Sequence, residues 1–315
     1  MVKYLKGVRM KRWVCLVTAL VVMFAMTGFA SAQAGTRAAK LIGAYSDNWP
    51  LAESTIGPLH TNKFFYEELP ASYADSATNG QPGCGAKNSS GGWIYPPSQV
   101  TCIIVYDTAT TNLKAFIQSI PSNRNVIIGY CNEPEGTHDV QGECGYGATN
   151  FVSTFENQST LIQQYDGDAT NIKIAEVSEA WEYAAGTDHD NGGASPDCPY
   201  IVPSQYLNFY LIDVYEPGLT AARNLGGDLQ WNTWVGCTSG MGVPRGIAEY
   251  GILCGNANSP IVTKTLADDD AYLKANFPNL EVWEYWYTNQ AGGGTGCAFT
   301  NPATIAEWQA IEAGN

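Results

Sequence analysis

Charge is scarce in this 315-residue chain, at 15% of residues, and cations are scarcer still, with 16 Lys and Arg against 30 Asp and Glu. That balance excludes nucleic acid and anionic membrane surfaces as partners, because both are held by clustered cations. The shortage of charge beside 12% aromatic residues also excludes a disordered chain. Only three histidines occur, His60, His138 and His189, and no G-x-S-x-G turn accompanies them, so a serine-hydrolase apparatus has little to build on. No C-x-x-C or H-x-x-x-H spacing offers a zinc site. Gly43-Ala44-Tyr45-Ser46-Asp47, after the first candidate strand, is not a glycine-rich phosphate turn, which argues against a dinucleotide fold. Asp188-His189-Asp190-Asn191-Gly192 has the loose look of a calcium loop but reads better as a solvated one. Internal repeats, low-complexity linkers and charge blocks are all lacking.

What is present begins with a leader. Lys3, Lys6, Arg9, Lys11 and Arg12 precede the apolar run from Trp13 to Phe29, and Ala30-Ser31-Ala32 follows it. This is the pattern of a secretory signal peptide over residues 1–32, leaving 33–315 as an acidic, exported domain. Eight cysteines remain after it, an even number that in an oxidising compartment favours disulfides over metal. Pairings are not legible from spacing; the local pairs Cys84 with Cys102 and Cys237 with Cys254 are the expectation.

The body of the chain alternates short β-branched or aromatic runs with longer amphipathic stretches, the rhythm of parallel β/α units. Eight strands are predicted: 40–45, 62–67, 102–107, 125–131, 172–177, 207–214, 246–251 and 280–286. Helices are predicted over 111–120, with Leu113, Phe116, Ile117 and Ile120 on one face, and over 150–165, with Phe151, Phe155, Leu161 and Ile162. Two more are expected, one over 268–277, opening on three acids, and one over 302–313. Eight such units in one domain predict a single (β/α)8 TIM barrel.

In such a barrel the site lies at the C-terminal strand ends. The fourth strand runs into Asn132-Glu133-Pro134-Glu135, and the seventh contains Ala248-Glu249-Tyr250-Gly251. Two carboxylates on strands three places apart face each other across the mouth, the arrangement that glycoside hydrolysis needs. Strand alternation is expected to put Ile127, Gly129, Cys131 and Glu133 on one inward face, and Ile247, Glu249 and Gly251 on another. The same alternation brings Asp213 and Tyr215 to the mouth from the sixth strand, and Glu284 and Trp286 from the eighth. A Glu within an apolar strand is costly unless it has partners or a task.

Asn132-Glu133-Pro134 resembles the Asn-Glu-Pro signature of clan A glycoside hydrolases, and Ala248-Glu249-Tyr250-Gly251 resembles their strand-seven segment. The run from Tyr130 to Glu135 is also similar to the His-Glu-Pro-Glu segment of proteins like family 26, the β-mannanases, and the likeness extends to family 5-like secreted bacterial proteins. The resemblance implies Glu133 as general acid/base and Glu249 as nucleophile of a retaining enzyme. It also implies Tyr215 as a hydrogen-bond partner of that nucleophile and Asn132 as a holder of the sugar 2-hydroxyl. Trp286 is the expected stacking platform, with Trp49, Trp181 and Trp231 as lesser candidates, and Asp213 joins the substrate-binding set. Glu135, Glu179 and Glu284 are further candidate acids. Two departures stand out. The clan's arginine near the end of strand two is missing from 60–69, where Lys63 is the cation present, and Asn132 stands where family 26 has His.

The expected activity is therefore a secreted, retaining β-glycoside hydrolase acting on a neutral polysaccharide or oligosaccharide: β-mannan, β-glucan or xylan. No cofactor, metal, nucleic acid or, after leader removal, membrane is expected, and the working unit is expected to be a monomer. Two alternatives stay open: a non-catalytic carbohydrate-binding barrel, and an extracellular surface protein.

Overall fold

The computed structural model describes residues 39–314 except 47, 76, 79–80, 110, 135–147, 168–170, 184–197, 199, 217–218 and 289–295. The expected signal peptide, Glu135 and the Asp188 loop lie outside the described residues, as does the side chain of Trp181. The described residues all fall within one compact unit, Arg37–Asn315.

All eight predicted strands are present: β1 (Leu41–Tyr45), β2 (Thr61–Tyr66), β3 (Thr101–Tyr106), β4 (Val126–Tyr130), β5 (Ile172–Glu179), β6 (Phe209–Glu216), β7 (Arg245–Ile252) and β8 (Val282–Trp286). They form one sheet in the order β1-β8-β7-β6-β5-β4-β3-β2, every hydrogen-bonded pair parallel. The remaining seam, β1 against β2, carries a bond from the His60 N–H to the Ile42 carbonyl at 2.9 Å. The approach there requires glycine at position 43, since a Cβ would lie 2.5 Å from the Thr61 carbonyl oxygen. The chain is thus a (β/α)8 barrel, nearly closed. Ile103, Val105, Ile127, Ala175, Val177, Leu211, Ala248 and Val282 pack together as its apolar filling. A larger core lies between the strands and the outer layer.

Six α-helices are found among the described residues: α1 (Trp49–Ile56), α2 (Leu113–Ser119), α3 (Ala148–Asp166), α4 (Leu229–Cys237), α5 (Pro260–Asn276) and α6 (Pro302–Ala313). Of these, α1 and α4 are not among the predicted helices. Both are capped from their sequence, by Asn48 accepting from the Leu51 N–H and Asp228 from the Trp231 N–H, but α4 is built of weak helix formers. Helix α5 starts eight residues earlier than predicted, at a Ser259 cap followed by Pro260. The three acids therefore sit mid-helix. Asp268 and Asp270 pair with Lys264 and Lys274, each at 2.7 Å, and Asp269 is buried. Trp49 and Trp231 are buried in the core, which removes them as sugar platforms.

Cys84 pairs with Cys102 as expected. Cys237 does not pair with Cys254. It joins Cys198, and Cys254 joins Cys297. The reason is topological: the whole of β7 lies between Cys237 and Cys254, so they sit at opposite ends of the barrel. Cys198 precedes β6 on the side where Cys237 lies, and Cys297 follows β8 on the side of Cys254. Cys131 is also disulfide-bonded. Among the described residues no helix is long and apolar enough to cross a membrane.

Candidate active site

Above the apolar filling, the inward positions turn polar. Lys63 from β2, Asp213 from β6, Glu249 from β7 and Glu284 from β8 are all buried, and Glu133, just beyond β4, stands half-buried beside them. The Lys63 ammonium lies 2.6 Å from Asp213 Oδ2 and 2.6 Å from Glu249 Oε1, with Lys63 and Asp213 side chains at 0% exposure and Glu249 at 5%. The Tyr215 hydroxyl donates to Glu249 Oε2. Carboxylate oxygens of Glu133, Asp213 and Glu249 lie within 4.8 Å of one another. Among the described residues these are the acids close enough to share a metal ion. The charge that an ion would bring is already supplied by Lys63.

The two glutamates arrive by different routes, neither of them simple alternation. On β7, Ile247 faces the outer core while Ala248 joins the barrel filling. The register with β6 pairs Ile212 with Ile247 but Asp213 with Glu249, a bulge that turns Glu249 inward directly after Ala248. On β4, Ile127 points inward as expected, but Cys131 packs into the outer core. Cys131 (φ 63°) and Glu133 (φ 48°) both adopt left-handed backbone, which swings Glu133 back over the mouth. The Glu133 N–H donates to the Val177 carbonyl at 3.0 Å, and the Asn132 N–H to Asp107 Oδ1 at 3.2 Å, fixing this turn. The Asn132 carboxamide oxygen has no hydrogen-bond partner among the described residues.

Electrostatics favour the protonated form of Glu133. Burial pushes Glu133 up to about 8, reinforced by the charges of Glu249 and Glu179 and opposed by Lys63. Burial likewise raises Asp213, with Glu249 adding and Lys63 opposing. Glu284 is pushed up to about 8 by burial, against the Thr61 side chain and Lys63. For Lys63 itself burial favours loss of the proton, but Asp213, Glu249 and Glu133 outweigh it and hold its pKa above the ordinary lysine range.

An aromatic wall completes the mouth. Trp286 lies parallel to Tyr45, ring centroids 4.1 Å apart and planes 7° apart. Phe65 and Tyr215 meet Trp286 edge-on, at 6.1 and 6.4 Å. All four rings are half-buried. The expected acid pair and the expected substrate-binding set therefore gather in one cleft: Glu133 and Glu249 with Asn132, Asp213, Tyr215 and Trp286. From sequence Lys63 is visible only as the cation where the clan has arginine, and Tyr45 and Phe65 are not singled out at all. The lone cation in strand β2 and the Lys63/Phe65 alternation are the signals that point to them.

No family model matches the chain, and no curated protein matches it. Solved structures do resemble it. A modular endo-β-1,4-mannanase of family 26 from Cellulomonas fimi matches over 90% of this chain and 75% of its own, with 12% identity and a TM-score of 0.54. An endo-β-1,4-glucanase from Xanthomonas axonopodis pv. citri, carrying three substitutions, matches over 87% and 99%, with 12% identity and a TM-score of 0.51. The catalytic domain of a family 26 endo-β-1,4-mannanase from Bacillus sp. JAMB-750 matches over 86% and 84%, with 12% identity and a TM-score of 0.50. What this chain shares with these glycoside hydrolases, at such low identity, is the (β/α)8 fold.

Proposed function

We propose that this protein is a secreted, retaining β-glycoside hydrolase acting on a neutral polysaccharide. The observation that carries the reading is the distance between the carboxylates. Oxygens of Glu133 and Glu249 lie within 4.8 Å, which fits the ~5 Å of a double-displacement pair and is too close for a water between them in an inverting pair. Glu249, ion-paired to Lys63 and hydrogen-bonded by Tyr215, is held as the carboxylate nucleophile. Its oxygen attacks the anomeric carbon as the bond to the leaving oxygen breaks, and Glu133 gives that oxygen its proton. In the second half, Glu133 takes a proton from water, the water oxygen bonds to the anomeric carbon, and the ester electron pair returns to Glu249. Asn132, half-buried beside Glu133, meets the sugar 2-hydroxyl, and Trp286, half-buried and backed by Tyr45, stacks on the ring. Asp213, expected to bind substrate, is instead buried beneath the pocket against Lys63. The working unit is a monomer that needs no cofactor. The fold neighbours are named as a β-mannanase and a β-glucanase, which keeps mannan and β-glucan first among substrates, with xylan beside them.

The test is reducing-sugar release from mannan, mixed-linkage glucan, β-1,3-glucan and xylan, with Glu133→Ala and Glu249→Ala alongside. Turnover of one polymer, lost in both variants, is the expected result. Polymer binding without turnover, unchanged in both variants, would instead make this a carbohydrate-binding barrel.

A further inference from the structure

Asp213 holds a position that the two-carboxylate reaction does not require. It is fully buried, its Oδ2 is 2.6 Å from the Lys63 ammonium, and its Oδ1 is buried with no hydrogen-bond partner among the described residues. An orphaned carboxylate oxygen in a dry site is costly, so a donor is expected for it. The neighbouring acid is Glu133, whose oxygens lie within 4.8 Å of those of Asp213 and Glu249. The other charged or titratable groups around Asp213 are Lys63 from β2, Glu249 from β7 and Tyr215 from β6. Glu179 on β5 and Glu284 on β8 lie beyond them.

We propose that Asp213 is a positioning residue that accepts the Glu133 proton on Oδ1 and anchors Lys63 on Oδ2, so that one cation links the charge on Glu133 to the charge on Glu249. Lys63 touches both Asp213 and Glu249 and is closed off from water. Burial raises Asp213 against it, and in the proposed linkage the ammonium on Oδ2 is what holds Asp213 ionised and leaves the proton on Glu133. The charges then balance through the cycle. At rest, Asp213 and Glu249 are anions, Lys63 is a cation and Glu133 is neutral. In the glycosyl-enzyme, Glu249 is a neutral ester and Glu133 has lost its proton to the leaving group, so Asp213 and Glu133 are the anions. The buried cluster carries the same net charge in both states. Asp213 is the anion that does not change, and it keeps Lys63 in place when Glu249 ceases to attract it.

This inference rests on the roles proposed above, but it can be read without turnover. Carboxyl ¹³C NMR, with the Glu133 signal assigned from Glu133→Gln, follows the Glu133 titration directly. In Asp213→Asn the Glu133 titration is expected to fall by about 1–3 pH units, because a neighbouring anion is removed and Lys63 is released towards Glu133. Glu249→Gln, which copies the neutral ester, is expected to lower it as well. The double variant should fall by less than the two shifts added, since both act through Lys63. Asp213→Glu, which keeps the charge, should retain a titration near that of the parent. In assays, Asp213→Asn should lower kcat more than it changes KM, and its alkaline limb should move to lower pH. A Glu133 titration unmoved by Asp213→Asn, or strictly additive shifts, would overturn the proposal. If Asp213→Asn does not fold, Lys63→Met reads the link from the other side: loss of the cation raises the Glu133 titration, and an unchanged value is equally decisive. A parent protein that shows these shifts but hydrolyses nothing would refute the enzymatic reading and leave the linkage standing.

Discussion

Strands β4 and β7 each deliver one glutamate to the same cleft, and they differ in nearly everything else. Glu249 sits within its strand, turned inward by a bulge, with Lys63 and Tyr215 on its two oxygens. Glu133 sits past the end of its strand on left-handed backbone, and its surroundings push it up to about 8. In the proposed reaction the same side chain serves as the nucleophile on one wall and as the acid on the other. The division of labour lies in the second residue met by each carboxylate, not in the glutamates themselves.

The contrast breaks most completely when the anion is removed. Glu249→Gln should lower kcat/KM by at least about 10⁴-fold, the scale of removing a nucleophile, with KM little changed. Glu133→Gln should cost about 10²–10⁴-fold, the range of general acid catalysis, and should abolish the alkaline limb expected near pH 8 in the parent. The limb lies on that side because a raised carboxyl is active while protonated and is lost as pH passes its pKa. Lys63→Met leaves Asp213 and Glu249 buried without their cation. Thermal or urea unfolding should show a loss of about 3–5 kcal/mol, whereas Lys63→Arg keeps the charge and should recover part of it. Trp286→Ala should raise KM about tenfold, or ~1.4 kcal/mol, with a smaller change in kcat.

How far these features are legible in the sequence depends on what kind of signal each one leaves. Strands announce themselves by β-branched runs, and all eight are visible. So are the two glutamates, since packing alone gives no reason for a carboxylate at a strand end within an apolar run. Alternation then fails at the places that matter most. A bulge at Ala248 and Glu249, and two left-handed residues at Cys131 and Glu133, have no glycine or asparagine to mark them. Both irregularities leave the carboxylates facing each other, as the proposed chemistry requires, because local distortion at a strand end can aim a side chain. Among the pairs formed between described residues, pairing is legible where no strand lies between the two cysteines, at Cys84 and Cys102. Lys63 is hard to read for a different reason: a lone lysine in a strand gives no hint that two acids 150 and 186 residues away converge on it.

A milder consequence of the same contrast is one of stability. Glu133 and Glu284 are pushed up to about 8 and Glu216 to about 7, all mainly by burial, against an ordinary value of 4.5. Asp269 is raised as well. Between those limits the folded protein binds protons that the unfolded chain has released, so stability must fall as pH rises through the window. Lys63 does not alter the sign, since its raised pKa acts only above the lysine range. The melting temperature should therefore be highest near pH 5 and decline towards pH 8.5, the reverse of a protein whose carboxylates are all well paired. Glu133→Gln, neutral at every pH, should flatten part of that decline. A melting temperature that rises from pH 5 to pH 8.5 would mean that these carboxylates are ionised in the fold, and the contrast between Glu133 and Glu249 would lose its physical basis.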